Sequence, residues 1–252
     1  MLINQTVENL RRMRLTGMAE AFLAQNQDPG YRELSFEERF GLLVDQESTY
    51  REDRRLKRLL AGAHLKTQAC VEDFDYRQSR GLDRSVMAGL STCQWVRDHR
   101  NVLITGPTGV GKTFVACALG NLACRNGFSS RYYRLPRLLM DLGIARGDGS
   151  YPSFMRRLVK TGLLLLDDWG LGPLAAAESR ELLEVLEDRC QTKSTLVASQ
   201  VPVDKWYELM PPDSTVADAI MDRLVHNAHK IALRGESMRK IAAAGGKEGG
   251  ES

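Results

Sequence analysis

Two stretches of this 252-residue chain carry side chains that could do chemistry together. Gly106–Thr113 reads GPTGVGKT and Leu163–Gly170 reads LLLLDDWG. The first fits G-x-x-x-x-G-K-[ST]. It follows an apolar, β-rich run (Val102–Thr105) and precedes a helical pattern that begins near Lys112, which is the context the motif requires. Gly106, Gly109 and Gly111 let the backbone curl so that successive N–H groups point inward at an anion. Pro107, Thr108 and Val110 complete the loop, and Phe114 follows it. The start of the helix adds partial positive charge. Lys112 is expected to reach the β- and γ-phosphates of a nucleotide, and the Thr113 hydroxyl to ligate Mg²⁺.

Four leucines in a row have no alternation, so LLLLDD is expected to be a central strand covered on both faces. The two aspartates do not belong at the edge of a core unless a cation meets them there. At the carboxyl end of a strand beside the phosphate loop, Asp167 would hold Mg²⁺, directly or through water. Asp168 would orient and deprotonate an attacking water; capping of the next helix is the plainer use of both. Most ATPases of this kind carry glutamate at the second position. Aspartate is one methylene shorter and places its carboxylate about 1.5 Å further away, which predicts slow basal hydrolysis.

Other residues could complete such a site. STLVAS ends in Ser199–Gln200, and either side chain could sense a γ-phosphate, or simply leave the strand for the turn before Pro202. Arg223, in AIMDRLVHNAH, is a candidate for an arginine supplied to a neighbouring subunit's phosphates. Arg239, in GESMRK, is a candidate for contact with its own subunit's nucleotide. Either could instead be an ordinary surface arginine. His226 and His229 have no third ligand in view and read as surface or capping residues.

The elements that must position these groups alternate along the chain from about Cys70: NVLITG, SSRYYR, LLLLDD, STLVAS and KIALRG, separated by helical segments. That order means βαβ units and a five-stranded parallel sheet flanked by helices, an α/β fold. Residues 1–69 read instead as an all-helical N-terminal domain, through VENLRRMRLTGMAEAF and again through FEERFGLLVDQESTY, broken by a turn at Pro29–Gly30. Ser35 followed by Glu38 resembles a capping box. Residues 70–243 are expected to form the nucleotide-binding core, and 244–252, GG-rich and with nothing large to bury, a disordered tail.

Arg51, Arg54, Arg55 and Arg58 fall on one face of a helix whose leucines form another, a stripe that could lie along DNA phosphates or simply be solvated. Arg131, Arg134, Arg137, Arg156, Arg157 and Lys160 add charge around the second strand and before LLLLDD, and Arg156 and Arg157 are expected to track DNA. Overall charge says less: 35 Lys and Arg against 32 Asp and Glu, a net of +3. No apolar run approaches the ~20 residues of a membrane span, and no signal-peptide core opens the chain. The five cysteines form no CxxC pair, which argues for a reducing, cytoplasmic setting and against zinc.

Taken together, GPTGVGKT, LLLLDDWG, SQVP, the pair DRL and GESMRK, and the lead-in DYRQSRGLDR resemble the IstB-like ATPases, from about Ser35 to Lys240. These are helper proteins of insertion-sequence transposition, related to DnaC-type helicase loaders and to DnaA within the AAA+ class. The resemblance implies an AAA+ P-loop core, ATP with Mg²⁺, self-assembly into a ring or spiral on double-stranded DNA, and recruitment or stimulation of a transposase. It also implies Arg223 as the finger supplied in trans and Arg239 as a second sensor. Ser199–Gln200 departs from the asparagine common in that class, and little chain remains after Arg239 for a helical lid. Two other uses of the same engine are loading a replicative helicase and phosphorylating a metabolite. The second would require an acceptor pocket and a basic lid, for which no motif is evident.

Overall fold

The apolar runs that alternate with helical segments form a parallel sheet. In a computed structural model, which describes residues 2–76, 81–210 and 214–238, the chain divides into two units, one ending at Arg58 and the other beginning at Leu59.

The first unit holds α1 (Leu2–Arg12), α2 (Thr16–Gln27) and most of α3 (Phe36–Ala63). The single helix expected through VENLRRMRLTGMAEAF is two helices. Arg14 adopts a left-handed φ of 61°, and Leu15 N donates to Leu10 O at 2.9 Å, which ends α1. Pro29–Glu33 is a 3₁₀ turn, with the Asp28 carboxylate accepting from Gly30 N. The Ser35–Glu38 capping box forms in both directions, at 2.8 and 3.2 Å. Glu47 joins α2 to α3, accepting from Met18 N at 3.0 Å and from Arg51 Nε at 2.6 Å.

The second unit runs α4 (Arg84–Ser91), α5 (Gln94–Arg97), β1 (Asn101–Thr105), α6 (Lys112–Arg125), β2 (Ser130–Arg134), α7 (Leu135–Asp148) and α8 (Tyr151–Lys160). It continues with β3 (Leu163–Trp169), α9 (Ala176–Arg189), β4 (Ser194–Ser199), α10 (Ser214–Val225) and β5 (Ala228–Ala232). The strand order is β2-β3-β4-β1-β5, and every neighbouring pair is parallel. Side chains alternate between two cores. Val102, Ile104, Leu163 and Leu165 pack with α6, while Leu103, Leu164, Leu166 and Val197 pack with α7, α8, α9 and α10. Leucine at every position of LLLL therefore follows from a strand sandwiched between helices.

Arg189, at the end of α9, is 1% exposed and still fully engaged. Its guanidinium donates to the carbonyls of Leu158, Thr161 and Ser194 and to Thr195 Oγ1, tying α8 and α9 to the start of β4. Burial pushes its pKa down to about 9, so it remains charged at neutral pH. Among the described residues no helix is long and apolar enough to cross a membrane, and no group of three or more His, Cys, Asp or Glu is arranged to hold a metal.

Candidate nucleotide site

The phosphate loop is built by the exit of β1. Gly106 N donates to Ser199 O at 3.2 Å and Leu233 N to Thr105 O at 2.7 Å, so the loop starts from a point held by the strands on both sides. Gly106 has φ +152°, and a Cβ there would stand 2.4 Å from Leu233 O. Gly109 has φ +85°, with Ser237 Oγ 2.2 Å from where a Cβ would be, and Gly109 O accepts from Met238 N at 3.0 Å. The segment after β5 thus lies against the loop. Arg239, the next residue, lies outside the described residues, as does the tail expected at 244–252.

Lys112 is 8% exposed, and its Nζ donates to Gly106 O and Pro107 O, both at 2.7 Å. Burial lowers its pKa, and the Asp167 and Asp168 carboxylates oppose that shift. The ammonium is held inside the curl of the loop by acceptors that an incoming phosphate could replace.

The two acidic residues sit in a break in the ladder. Leu166 pairs with Val197 and Trp169 with Ser199, so β3 carries one residue more than β4 across this interval. Asp168 takes a left-handed φ of 60°, which aspartate tolerates better than most side chains. A bulge of this kind re-aims side chains that strict alternation would send to opposite faces. Asp167, 2% exposed, accepts on Oδ2 from Thr113 Oγ1 at 2.7 Å and from Tyr132 OH at 2.8 Å, and on Oδ1 from Asp168 N at 2.9 Å. Asp168 pairs through Oδ2 with Arg134 Nε at the end of β2. Burial, followed by the hydrogen bond to Asp167, pushes the Tyr132 phenol up, and the Asp168 carboxylate raises the Arg134 guanidinium. Hard oxygen donors, Thr113 and Asp167, converge beside an anion-binding loop; that donor set suits Mg²⁺ held together with a phosphate oxygen.

The sequence-expected residues separate into three groups. Lys112, Thr113, Asp167 and Asp168 come together, and Gln200 joins them by accepting from Thr108 Oγ1 at 2.7 Å. Ser199 lies differently. It is fully buried, donates to Trp169 O at 2.8 Å and accepts from Val201 N at 3.0 Å, so its hydroxyl fastens β4 to β3. Val110 is a core residue that gives the loop only its backbone, and Phe114 packs edge-on against Phe74 with ring centroids 6.0 Å apart.

Arg223 stands at the other end of the sheet. Its carbonyl accepts from Asn101 Nδ2 at 2.8 Å, at the start of β1, whereas the phosphate loop leaves the strand's far end, roughly 15 Å away. Its guanidinium forks onto Glu187 at 2.8 and 3.1 Å and touches Asp222 at 2.7 Å.

The basic surfaces also divide. Arg134 and Arg137 are engaged by Asp168 and Asp141. Arg131 donates to Gly62 O. Arg156 and Arg157 are exposed on α8, with Arg157 5.2 Å above the Phe154 ring. Arg54, Arg55 and Arg58 are exposed on α3, where Arg51 pairs with Glu47. Tyr132 and Arg134 were not anticipated at the site. Their period-2 spacing in SRYYR places them on one face of a strand, but only the sheet order puts that strand beside the aspartates.

A family model described as IstB-like ATP binding protein matches residues 8–244. The chain belongs to that family. It is 48% identical to the insertion sequence ATP-binding protein y4pL of Sinorhizobium fredii over 95% of this chain and 98% of that protein. It is also 48% identical to the ATP-binding protein of insertion sequence IS1162 of Pseudomonas fluorescens, over 80% and 88%. Among solved structures, DnaI (TM-score 0.56, 21% identity, 70% of this chain and 93% of that one) shares the fold. So does DnaA from Aquifex aeolicus bound to AMPPCP (0.57, 20%, 73% and 56%). The IstB-like chain thus shares the fold of these proteins and carries a P-loop, with helices ahead of its five-stranded sheet.

Proposed function

We propose that this IstB-like protein is a slow ATPase that assembles as a ring or spiral on double-stranded DNA and recruits or stimulates the transposase of its insertion sequence. The observation that carries the catalytic part is the 2.7 Å bond from Thr113 to Asp167, which joins the phosphate loop to the aspartate bulge. What favours a transposition helper over a helicase loader is the near full-length 48% identity to an insertion-sequence protein, whereas likeness to DnaI and DnaC stops at 15–21% identity.

In this reading the backbone N–H groups of the loop and Lys112 Nζ bind the β- and γ-phosphates, the ammonium leaving the carbonyls of Gly106 and Pro107 to do so. Thr113 and Asp167 hold Mg²⁺, which supplies charge neutralisation to the phosphate oxygens. Gln200, on Thr108, lies where a γ-phosphate would alter its hydrogen bonding. The Asp168 carboxylate takes a proton from water as the water oxygen bonds to the γ-phosphorus and the bridging oxygen leaves with ADP. Arg223 of a second copy stabilises charge on the departing phosphoryl group, and Arg239 contacts the nucleotide of its own subunit. Residues 1–69 dock the transposase or DNA, with the cations of α3 on phosphates, while Arg156 and Arg157 track duplex in the assembly. The site of action is the cytoplasm, where the chromosome is.

The test is ATP hydrolysis by the purified full chain with and without duplex DNA and transposase, with assembly followed by electron microscopy. Slow turnover raised by duplex, with filaments or rings that need both ATP and DNA, supports the proposal. Turnover and assembly indifferent to duplex would remove its DNA half, and loss of no ATP binding in Lys112→Ala would remove its catalytic half.

A further inference from the structure

The Asp167 carboxylate is held by three donors from three elements: Thr113 of α6, the Asp168 amide of its own strand, and Tyr132 of β2. The first two belong to the phosphate loop's helix and to the bulge. Tyr132 belongs to neither. It is 9% exposed, with its ring in the core cluster that includes Cys117 and Leu165. Phenylalanine would serve that packing equally well, so the hydroxyl needs a separate reason.

The register supplies one. Tyr132 pairs with Leu165 and Arg134 with Asp167, so Tyr132 sits two strand residues, about 6.6 Å, short of the carboxylate it bonds. A phenol spans that distance, and a serine or threonine at the same position would not.

We propose that Tyr132 is a positioning residue for the metal site: from β2, its hydroxyl fixes the plane of the Asp167 carboxylate so that the carboxylate and Thr113 meet Mg²⁺ without rearrangement. This rests on the nucleotide-site reading above. A hydroxyl has one hydrogen and two lone pairs, so Thr113 can go on donating to Asp167 while presenting a lone pair to a cation. The carboxylate then keeps every donor when the metal enters, and the Tyr132 bond is the one contributed by a side chain outside the metal's own ligands. Groups that orient a ligating carboxylate in this way typically change metal affinity by 10–100-fold when removed.

Tyr132→Phe keeps the ring and removes only the hydroxyl. The experiment measures the affinity of the full chain for a fluorescent ADP, first in excess EDTA and then at stepped free Mg²⁺. Thermal denaturation of the nucleotide-free protein checks that packing is intact. The expected result is an unchanged affinity in EDTA and a roughly tenfold rise in the free Mg²⁺ needed for half of the metal-linked gain. In an Asp167→Asn background the same substitution should add nothing, because its target is gone. A wild-type gain that Tyr132→Phe leaves untouched overturns this inference alone. So does a loss of equal size in EDTA, which would mean that the hydroxyl serves the loop rather than the metal. A wild-type protein with no metal-linked gain overturns the nucleotide-site reading and this inference with it.

Discussion

Asp168 occupies a left-handed backbone position, and one of its oxygens is bound to Arg134. Both features bear on the expectation of slow hydrolysis drawn from its short side chain. The bulge changes where the carboxylate points, so the missing methylene is not simply a longer gap to water. The ion pair occupies an oxygen that would otherwise accept a hydrogen bond from that water. The Arg134 side chain is 55% exposed, and a pair of that kind is worth at most about 1 kcal/mol. Arg134→Ala should therefore raise basal ATP turnover by no more than about fivefold and leave nucleotide affinity alone, measured by phosphate release and by fluorescent-nucleotide titration. Asp168→Asn should bind equally well and lose roughly 10²-fold or more of turnover. A fall in turnover on Arg134→Ala would mean that the guanidinium holds Asp168 in its working position instead of restraining it.

At the scale of elements, the end of α9 depends on one side chain. Arg189 satisfies three carbonyls and a hydroxyl from a position that water does not reach, and no other residue type presents so many donors in a plane. Arg189→Met fills much of the volume but leaves those acceptors unpaired. It should cost about 3 kcal/mol, read as a lower denaturant midpoint with the slope unchanged; a shift below about 1 kcal/mol would assign those carbonyls other partners. The role of Arg189 was not legible in EVLEDRCQTK, because its acceptors lie in α8, β4 and the segment between α8 and β3. The strands themselves were legible, since each is a short β-rich run between helical patterns, although β2 (SRYYR) is largely polar and β5 begins two residues before KIALRG, at Ala228. The phosphate loop was equally plain, because its chemistry lies in consecutive residues. What escaped the sequence needs a partner strand. A bulge exists only relative to a neighbour's register, Tyr132 and Arg134 matter only because β2 flanks β3, and Ser199 and Gln200 differ only in which of them faces the loop.

At the scale of the whole molecule, Arg223 poses a geometric problem. A finger must touch the transferred phosphoryl group, yet this arginine is at the opening end of β1 while the phosphate loop leaves the closing end. Within one rigid sheet it cannot reach its own nucleotide, so a catalytic part for it requires a second copy in a head-to-tail arrangement, the kind of contact that generates rings or open spirals. It would also have to leave Glu187, a partner whose side chain is 54% exposed. A mixing experiment tests this without a structure of the assembly. Arg223→Ala retains Asp168, and Asp168→Asn retains Arg223. Each variant alone should hydrolyse ATP at a small fraction of the wild-type rate. Mixed in equal amounts on duplex DNA, random placement pairs an intact Asp168 with a neighbour's intact Arg223 at about a quarter of the interfaces, and activity should recover to about that fraction of wild type. No recovery, with both variants present in the same assemblies by labelled pull-down, would show that Arg223 supports only its own chain, and that the Glu187 fork is a structural tie rather than a resting place.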